Sequence, residues 1–253
     1  MPNKIRVTVW NEYRHEKSEA RIAEIYPEGI HGEIKNILSE CDDVEVTIAT
    51  LDMPEHGLTD EVLNNTDVLI WWGHMAHGEV RDDIVAKVRN RVYNEGMGFF
   101  PIHSGHHSKP FKAIVGATGD LYWGKDQTEI VWNILPQHPI AKGLPTCFEL
   151  FEEMYGEPFR IPQPDELIFN SWFEQGNVFR SGCVFYRGVG KVFYFQPGHE
   201  ACRSFYNENV RTVIKNAVHW LKTDLTPDNI DKGCYHQRAS VLEELRAKNE
   251  NNK

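Results

Sequence analysis

The first half of the chain alternates between strand-like and helix-like hydrophobic patterns. Four stretches rich in β-branched or continuous apolar residues predict strands, namely "IRVTVWNE" from Ile5, "VEVTIAT" from Val44, "DVLIWWG" from Asp67 and "GFFPIH" from Gly98. Apolar residues recur at helical spacing between them, first at Ile30, Ile34, Ile37 and Leu38, and then at Val80, Ile84, Val88 and Val92. Strands and helices in alternation predict parallel strands joined by right-handed crossovers.

The second half places strand-like runs close together. These runs are "ELIFNSWF", "VFRSGCVFYRG" and "GKVFYFQPG", with a predicted hairpin turn at Arg187 to Gly190. A last amphipathic helix follows, with its inner face formed by Val210, Val213, Ile214, Ala217, Val218 and Leu221. We predict one α/β domain over residues 1–222. A linker and a polar, helix-prone tail are predicted over residues 223–253.

Composition narrows the classes of partner. The chain has 253 residues and a formal net charge of −10, which disfavours nucleic acid or an anionic membrane as a partner. No apolar run approaches the roughly 20 residues needed to span a bilayer, and the start of the chain does not resemble a signal peptide. The five cysteines are scattered without a CxxC pair, as is typical of reduced thiols in the cytoplasm.

Histidines follow the third and fourth predicted strands. In "WWGHMAHGE", His74 and His77 lie at a strand end, where open α/β sheets bind ligands. Their H-x-x-H spacing suits a metal, although a pair of surface or capping histidines is the alternative. In "HSGHH", His103 ends the fourth strand, and a helix beginning there would rotate the next two histidines away from it. Ser104 lacks the G-x-S-x-G context of a hydrolase elbow, so a serine hydrolase is not predicted.

Two later motifs combine carboxylates with aromatic residues or histidine. In "FEEMYGEPF", Glu153, Tyr155 and Glu157 share one face of an extended segment, which makes Glu153 a candidate metal ligand or general base. In "FYFQPGHE", a Pro-Gly turn presents His199 at the end of an apolar strand, with Glu200 as an orienting acceptor. Surface charges and a solvated turn are the plainer interpretations of these two motifs.

Several motifs together resemble the ThuA-like family, the trehalose-utilisation proteins, over about Lys4 to Lys222. They are "WWGHMAH", "HSGHHSKPF", "QHPIAKGLP", "EEMYGEPF", "WFEQGNVFRSGC" and "VFYFQPGHE". The resemblance implies a fold similar to class I glutamine amidotransferases, a flavodoxin-like three-layer sandwich with a mostly parallel central sheet. His103 stands where the amidotransferase elbow G-x-C-x-G-x-Q has its cysteine, and His199 falls near the amidotransferase histidine. Without that cysteine, glutamine hydrolysis by a thiolate is not expected.

Imidazoles with a carboxylate suit a divalent metal, and zinc is the ion we expect. The candidate ligands are His74, His77, His103 and His199. Glu153, Tyr155 and His103 are the candidate catalytic residues, with Glu153 either a further ligand or the base.

The resemblance implies a sugar substrate, linked to trehalose or a related disaccharide and including the oxidised 3-keto form. Candidate residues for substrate binding are Trp72, Trp123, Glu157 and Glu200. Two alternatives remain open: a non-catalytic module that senses a sugar or docks a partner, and a structural zinc site. Homo-oligomers are common for this fold class.

Overall fold

We analysed a computed structural model that describes residues 4–223, 242–243 and 245–249. The chain forms two compact units, Met1–Thr223 and Asp224–Lys253. Beyond Thr223, the predicted linker lies outside the described residues. The described part of the second unit is helical. Within the described ranges, no helix is long and apolar enough to cross a membrane.

One nine-stranded mixed sheet forms the centre of the first unit, in the order β2-β1-β3-β4-β9-β8-β7-β5-β6. The strands are β1 (Ile5–Asn11), β2 (Val44–Thr50), β3 (Val68–Trp72), β4 (Gly98–Ile102), β5 (Tyr122–Asn133), β6 (Cys147–Gly156), β7 (Glu166–Phe173), β8 (Val178–Arg187) and β9 (Gly190–Phe195). Neighbours from β2 to β9 pair in parallel, and neighbours from β9 to β6 pair antiparallel. The predicted parallel strands and the hairpin at Arg187 to Gly190 are confirmed. Strand β5 was not predicted.

Helices cover both faces of the parallel half. They are α1 (His15–Ser18), α2 (Ala20–Ile25), α3 (Gly29–Leu38), α4 (Asp60–Asn64), α5 (Asp82–Glu95), α6 (Lys109–Val115) and α7 (Glu208–Leu221). Apolar residues of α3 and α7 belong to the core on one face, and those of α5 and α6 to the core on the other. Two hydrophobic cores on opposite faces of one sheet are the three layers of the predicted sandwich.

Capping fixes where the helices next to the site begin and end. The Ser108 hydroxyl accepts a hydrogen bond from the Phe111 N–H at the start of α6, and the Asn207 side chain accepts two N–H groups at the start of α7. Gly96 closes α5 in the left-handed region with φ 77°. With these boundaries set, the loops after β3, β4 and β9 lie together at the carboxyl edge of the sheet.

Candidate metal centre

Four side chains from distant parts of the chain meet at the carboxyl edge of the sheet. His74, His103 and His199 follow β3, β4 and β9, whereas Glu153 lies on β6 at the far end of the strand order. One ligand atom from each of the four lies within 4.8 Å of the others. The structure therefore brings three of the four predicted metal ligands together with the predicted carboxylate.

His103 occupies a strained turn directly after β4. Its φ is 52°, in the left-handed region that non-glycine residues rarely adopt. Its Nδ1 lies 2.9 Å from the Gln196 carbonyl oxygen, so Nδ1–H donates there and the Nε2 lone pair faces the site. That Nε2 is 3.2 Å from Glu153 Oε2 and 3.3 Å from the Tyr155 hydroxyl. A lone pair and a carboxylate this close favour a cation or a proton between them.

His74 is oriented by His15, which was not among the predicted site residues. His74 Nδ1 lies 2.8 Å from His15 Nε2, and His15 Nδ1 lies 2.9 Å from Glu19 Oε1. With each Nδ1–H donating along this chain, Nε2 of His74 is left for a ligand. His15 opens α1, a few residues beyond the end of β1 at the same sheet edge, and that position was a usable signal.

His199 is held from three sides. Its Nδ1 lies 3.3 Å from Asp126 Oδ1, and its Nε2 lies 3.3 Å from Glu200 Oε1. Its backbone N–H, like that of Gly198, donates to the fully buried carboxylate of Glu152. Glu152 therefore fixes the turn that presents the imidazole.

Burial and charge give the imidazoles of the group different protonation states at neutral pH. Burial lowers the pKa of His74 to about 4, which leaves that imidazole neutral. Burial also disfavours the charged form of His199, but the hydrogen bond and charge of Glu200 outweigh it and raise the pKa of His199 to about 9, so this imidazole must release a proton before it can bind a metal ion. Although burial opposes it, the hydrogen bond and the charge of His103 lower the pKa of Glu153 when a proton lies between Nε2 and the carboxylate, so this carboxyl is ionised in that state.

A cavity of about 310 Å³ opens beside the four side chains. Two of the four, His74 and Glu153, line it, together with His77, Ser104, His106, His107, Asp120, Leu121, Trp123 and Tyr155. Burial lowers the pKa of His77 to about 3, so its ring is an uncharged hydrogen-bonding group. Trp123 is 66% exposed at the rim. Among these lining residues there is no lysine or arginine to bind an anion.

The structure places the remaining predicted site residues elsewhere. His77 lies outside the four-residue group and lines the cavity. Trp72 is fully buried and its indole N–H donates to the Gly198 carbonyl, so it supports the site and cannot stack on a sugar. Glu157 forms an ion pair with Arg180 at 2.6 Å, and Glu200 lies behind the imidazoles; neither lines the cavity. The predicted contact of Trp72 with substrate is therefore corrected, because a fully buried indole cannot reach a sugar in the cavity.

Solved structures with the same fold are similar at low identity. A ThuA-like protein from Parabacteroides merdae has a TM-score of 0.67 and 14% identity, over 88% of this chain and 92% of that one. A ThuA-like protein from Bacteroides uniformis has a TM-score of 0.62 and 16% identity, over 90% and 96% of the two chains. A glutamine amidotransferase from Thermotoga maritima has a TM-score of 0.55 and 13% identity, over 88% and 100%. Curated proteins give no match.

The sheet order, the two helical layers and the turn after β4 define a protein of the class I glutamine amidotransferase-like fold, with His103 at the elbow. The family model described as "Trehalose utilisation" (ThuA) matches residues 6–221, and the chain belongs to that family. The resemblance found in the sequence motifs is thereby confirmed.

Proposed function

We propose that the chain is a metal-dependent enzyme that acts on an uncharged disaccharide or keto-sugar. The observation that carries this proposal is the group formed by His74, His103, His199 and Glu153, beside a cavity whose described lining residues include no lysine or arginine. A structural zinc site is normally closed by four ligands, whereas a catalytic one keeps a position open toward a cavity. The cavity therefore favours catalysis over a structural role.

The donor set fits a zinc-like ion. One nitrogen from each of the three imidazoles lies within 4.8 Å of the others, which is near enough for side-chain adjustment to bring all three to about 2.0–2.1 Å from one zinc ion. Each of the three histidines has its Nδ1 against an oxygen or nitrogen partner, as metal-bound histidines usually do. We assign the three histidines as the ligands. When bound, the ion would supply Lewis-acid polarisation of a sugar carbonyl.

Glu153 is the proposed general base. It is ionised, and it belongs to both the ligand group and the cavity wall, so its carboxylate faces ion and substrate together. It would accept the proton from the carbon next to the carbonyl, and the C–H electron pair would pass into the new carbon–carbon double bond. Burial raises the pKa of Tyr155 well above its ordinary value, so its hydroxyl stays a donor that can orient a sugar oxygen.

The cavity wall supports a neutral substrate. Phosphorylated sugars require arginine, lysine or clustered N–H donors, whereas this wall offers imidazoles, two hydroxyls, two carboxylates and an exposed indole. Trp123 at the rim can pack on the apolar face of a sugar ring. The free thiols among the described cysteines accord with the expected cytoplasmic location.

The test combines metal analysis with solvent exchange. We expect stoichiometric zinc in the wild type, lower zinc content in His103→Ala, and wild-type content in His219→Ala, whose exposed imidazole pairs with Asp43. Glu153→Gln should keep the ion yet lose at least about 100-fold in the rate of deuterium incorporation next to the carbonyl of a 3-keto-disaccharide.

The results separate the alternatives. Sugar binding without deuterium incorporation in the wild type would favour the sugar-sensing module. Full exchange activity in both His103→Ala and Glu153→Gln would contradict the enzyme proposal.

A further inference from the structure

A second group of metal-ligand side chains lies against the far side of His199. Asp126, His199 and Cys202 place one ligand atom each within 4.8 Å of one another. His199 Nδ1 is 3.3 Å from Asp126 Oδ1 and 3.7 Å from Cys202 Sγ. These distances are close to the separations expected for nitrogen, oxygen and sulfur ligands around one tetrahedral zinc ion.

We propose that Asp126, His199 and Cys202 form a second binding site for a zinc-like divalent cation, distinct from the site of the three histidines. It uses Nδ1 of His199, whereas the first site uses Nε2. Each site can therefore be filled without the other. When both are filled, His199 is a bridging imidazolate, and it and Cys202 have released their protons to solvent.

The chelating pair comes from one rigid turn. In "HEAC", the Cys202 N–H donates to the His199 carbonyl at 3.0 Å, and the Tyr26 hydroxyl donates to the Cys202 carbonyl. The turn is anchored further by the Glu152 carboxylate, which accepts the His199 N–H. A histidine and a cysteine three residues apart on such a turn hold their side chains close to one point. Because the turn is already ordered, little conformational entropy is lost when an ion binds.

Asp126 reaches this point through an irregularity in β5. The register between β5 and β6 shifts between Gly124 and Asp126, which is the mark of a β-bulge. Bulges redirect a side chain and are frequent next to functional sites. Because the Asp126 side chain is 26% exposed, while that of His199 is 12% exposed, the fourth position of an ion would face solvent.

The surroundings also favour a cation and a soft ligand. Cys202 is 3% exposed, and burial together with the charges of Glu152, Asp126, Glu200 and Glu153 raises the pKa of its thiol, so the thiolate needs a bound cation to offset these charges. A sulfur, nitrogen and oxygen set selects zinc or cobalt over magnesium or calcium, which prefer oxygen ligands alone.

Cobalt(II) substitution tests the site without using enzyme activity. We expect the full chain loaded with cobalt(II) to show a near-ultraviolet thiolate-to-cobalt charge-transfer band. Cys202→Ser should abolish this band and reduce the metal content by one ion per chain, while Cys41→Ser, a half-buried thiol outside the group, should leave both unchanged. Zinc-edge X-ray absorption of the wild type should show sulfur scattering equivalent to one sulfur ligand for every two zinc ions when both sites are filled.

The proposals for the two sites can be tested separately. His103→Ala should lose the ion of the first site and keep the charge-transfer band. A wild-type protein with no thiolate band and no sulfur at the zinc edge, or a band that survives Cys202→Ser, would overturn the second site. Loss of the ion from the first site alone would not contradict the proposal of a second site.

Discussion

Glu129 shows how strongly a single buried carboxyl can couple stability to pH. It lies on β5 with no exposed surface, and burial, reinforced by the charge of Glu152, raises its pKa well above the ordinary value. A folded-state pKa above the unfolded value favours the folded protein at low pH. That contribution is lost as the pH rises from the unfolded pKa, about 4.3, through the folded one.

We expect Glu129→Gln to be nearly neutral at pH 4 and increasingly stabilising above it. The difference should grow by about 1.4 kcal/mol for each pKa unit that separates the two states, since glutamine carries no charge to bury. Urea unfolding of the variant and the wild type across pH 4–8 measures it. Glu149→Gln, on an exposed position of the neighbouring strand, should show no such trend. A pH-independent difference for Glu129→Gln would contradict the assignment.

Elements with a regular hydrophobic period were predictable, and those without one were not. The helix of Ile30, Ile34 and Ile37 and the β8–β9 hairpin follow from local pattern and turn chemistry. Strand β5 was missed because lysine, aspartate, glutamine and glutamate interrupt its apolar positions, and its buried face includes Gln127 and Glu129. Contacts with residues distant in the sequence accommodate these polar side chains, and a local sequence pattern cannot show such contacts.

The β8–β9 turn offers a test at this scale. Gly188 has φ +62°, and an added Cβ would lie 2.2 Å from the Tyr93 carbonyl oxygen at the end of α5. Gly188→Ala should therefore destabilise the protein by about 1–3 kcal/mol in urea unfolding, through both backbone strain and overlap.

Gly176→Ala is the matched control. Its φ of +92° carries the strain, but nothing lies within 4 Å of an added Cβ. A loss as large as that of Gly188→Ala would show that contact with α5 is unimportant.

At the scale of the molecule, the candidate metal centre joins parts that the sequence keeps far apart. His74, His103 and His199 could be predicted because they follow strand ends, and Glu153 because it is a carboxylate among aromatic residues. Spacing gave no means to separate His77 from the other candidate ligands, or to find His15 and Asp126 as their neighbours. Those assignments depend on ring orientation, which only the folded backbone determines.

The proposed ion, held by residues that follow β3, β4 and β9, would bind the folded protein and not the unfolded chain. Removal of metal by a chelator should therefore lower the Tm by about 5 °C or more, if the wild type is first saturated to about 100 times Kd. Differential scanning calorimetry with and without added zinc measures the shift. His103→Ala should show a smaller shift, and an equal one would indicate that the stabilising ion lies elsewhere.

Strand β6 ends the sheet order, yet its Glu153 reaches the imidazoles that follow the central strands. The carboxylate and the imidazoles thus come from two parts of the sheet: the imidazoles from loops of the parallel half, the carboxylate from the antiparallel β5–β6 pair. A change in the length or register of β5 and β6 would therefore move the proposed base and leave the three histidines in place.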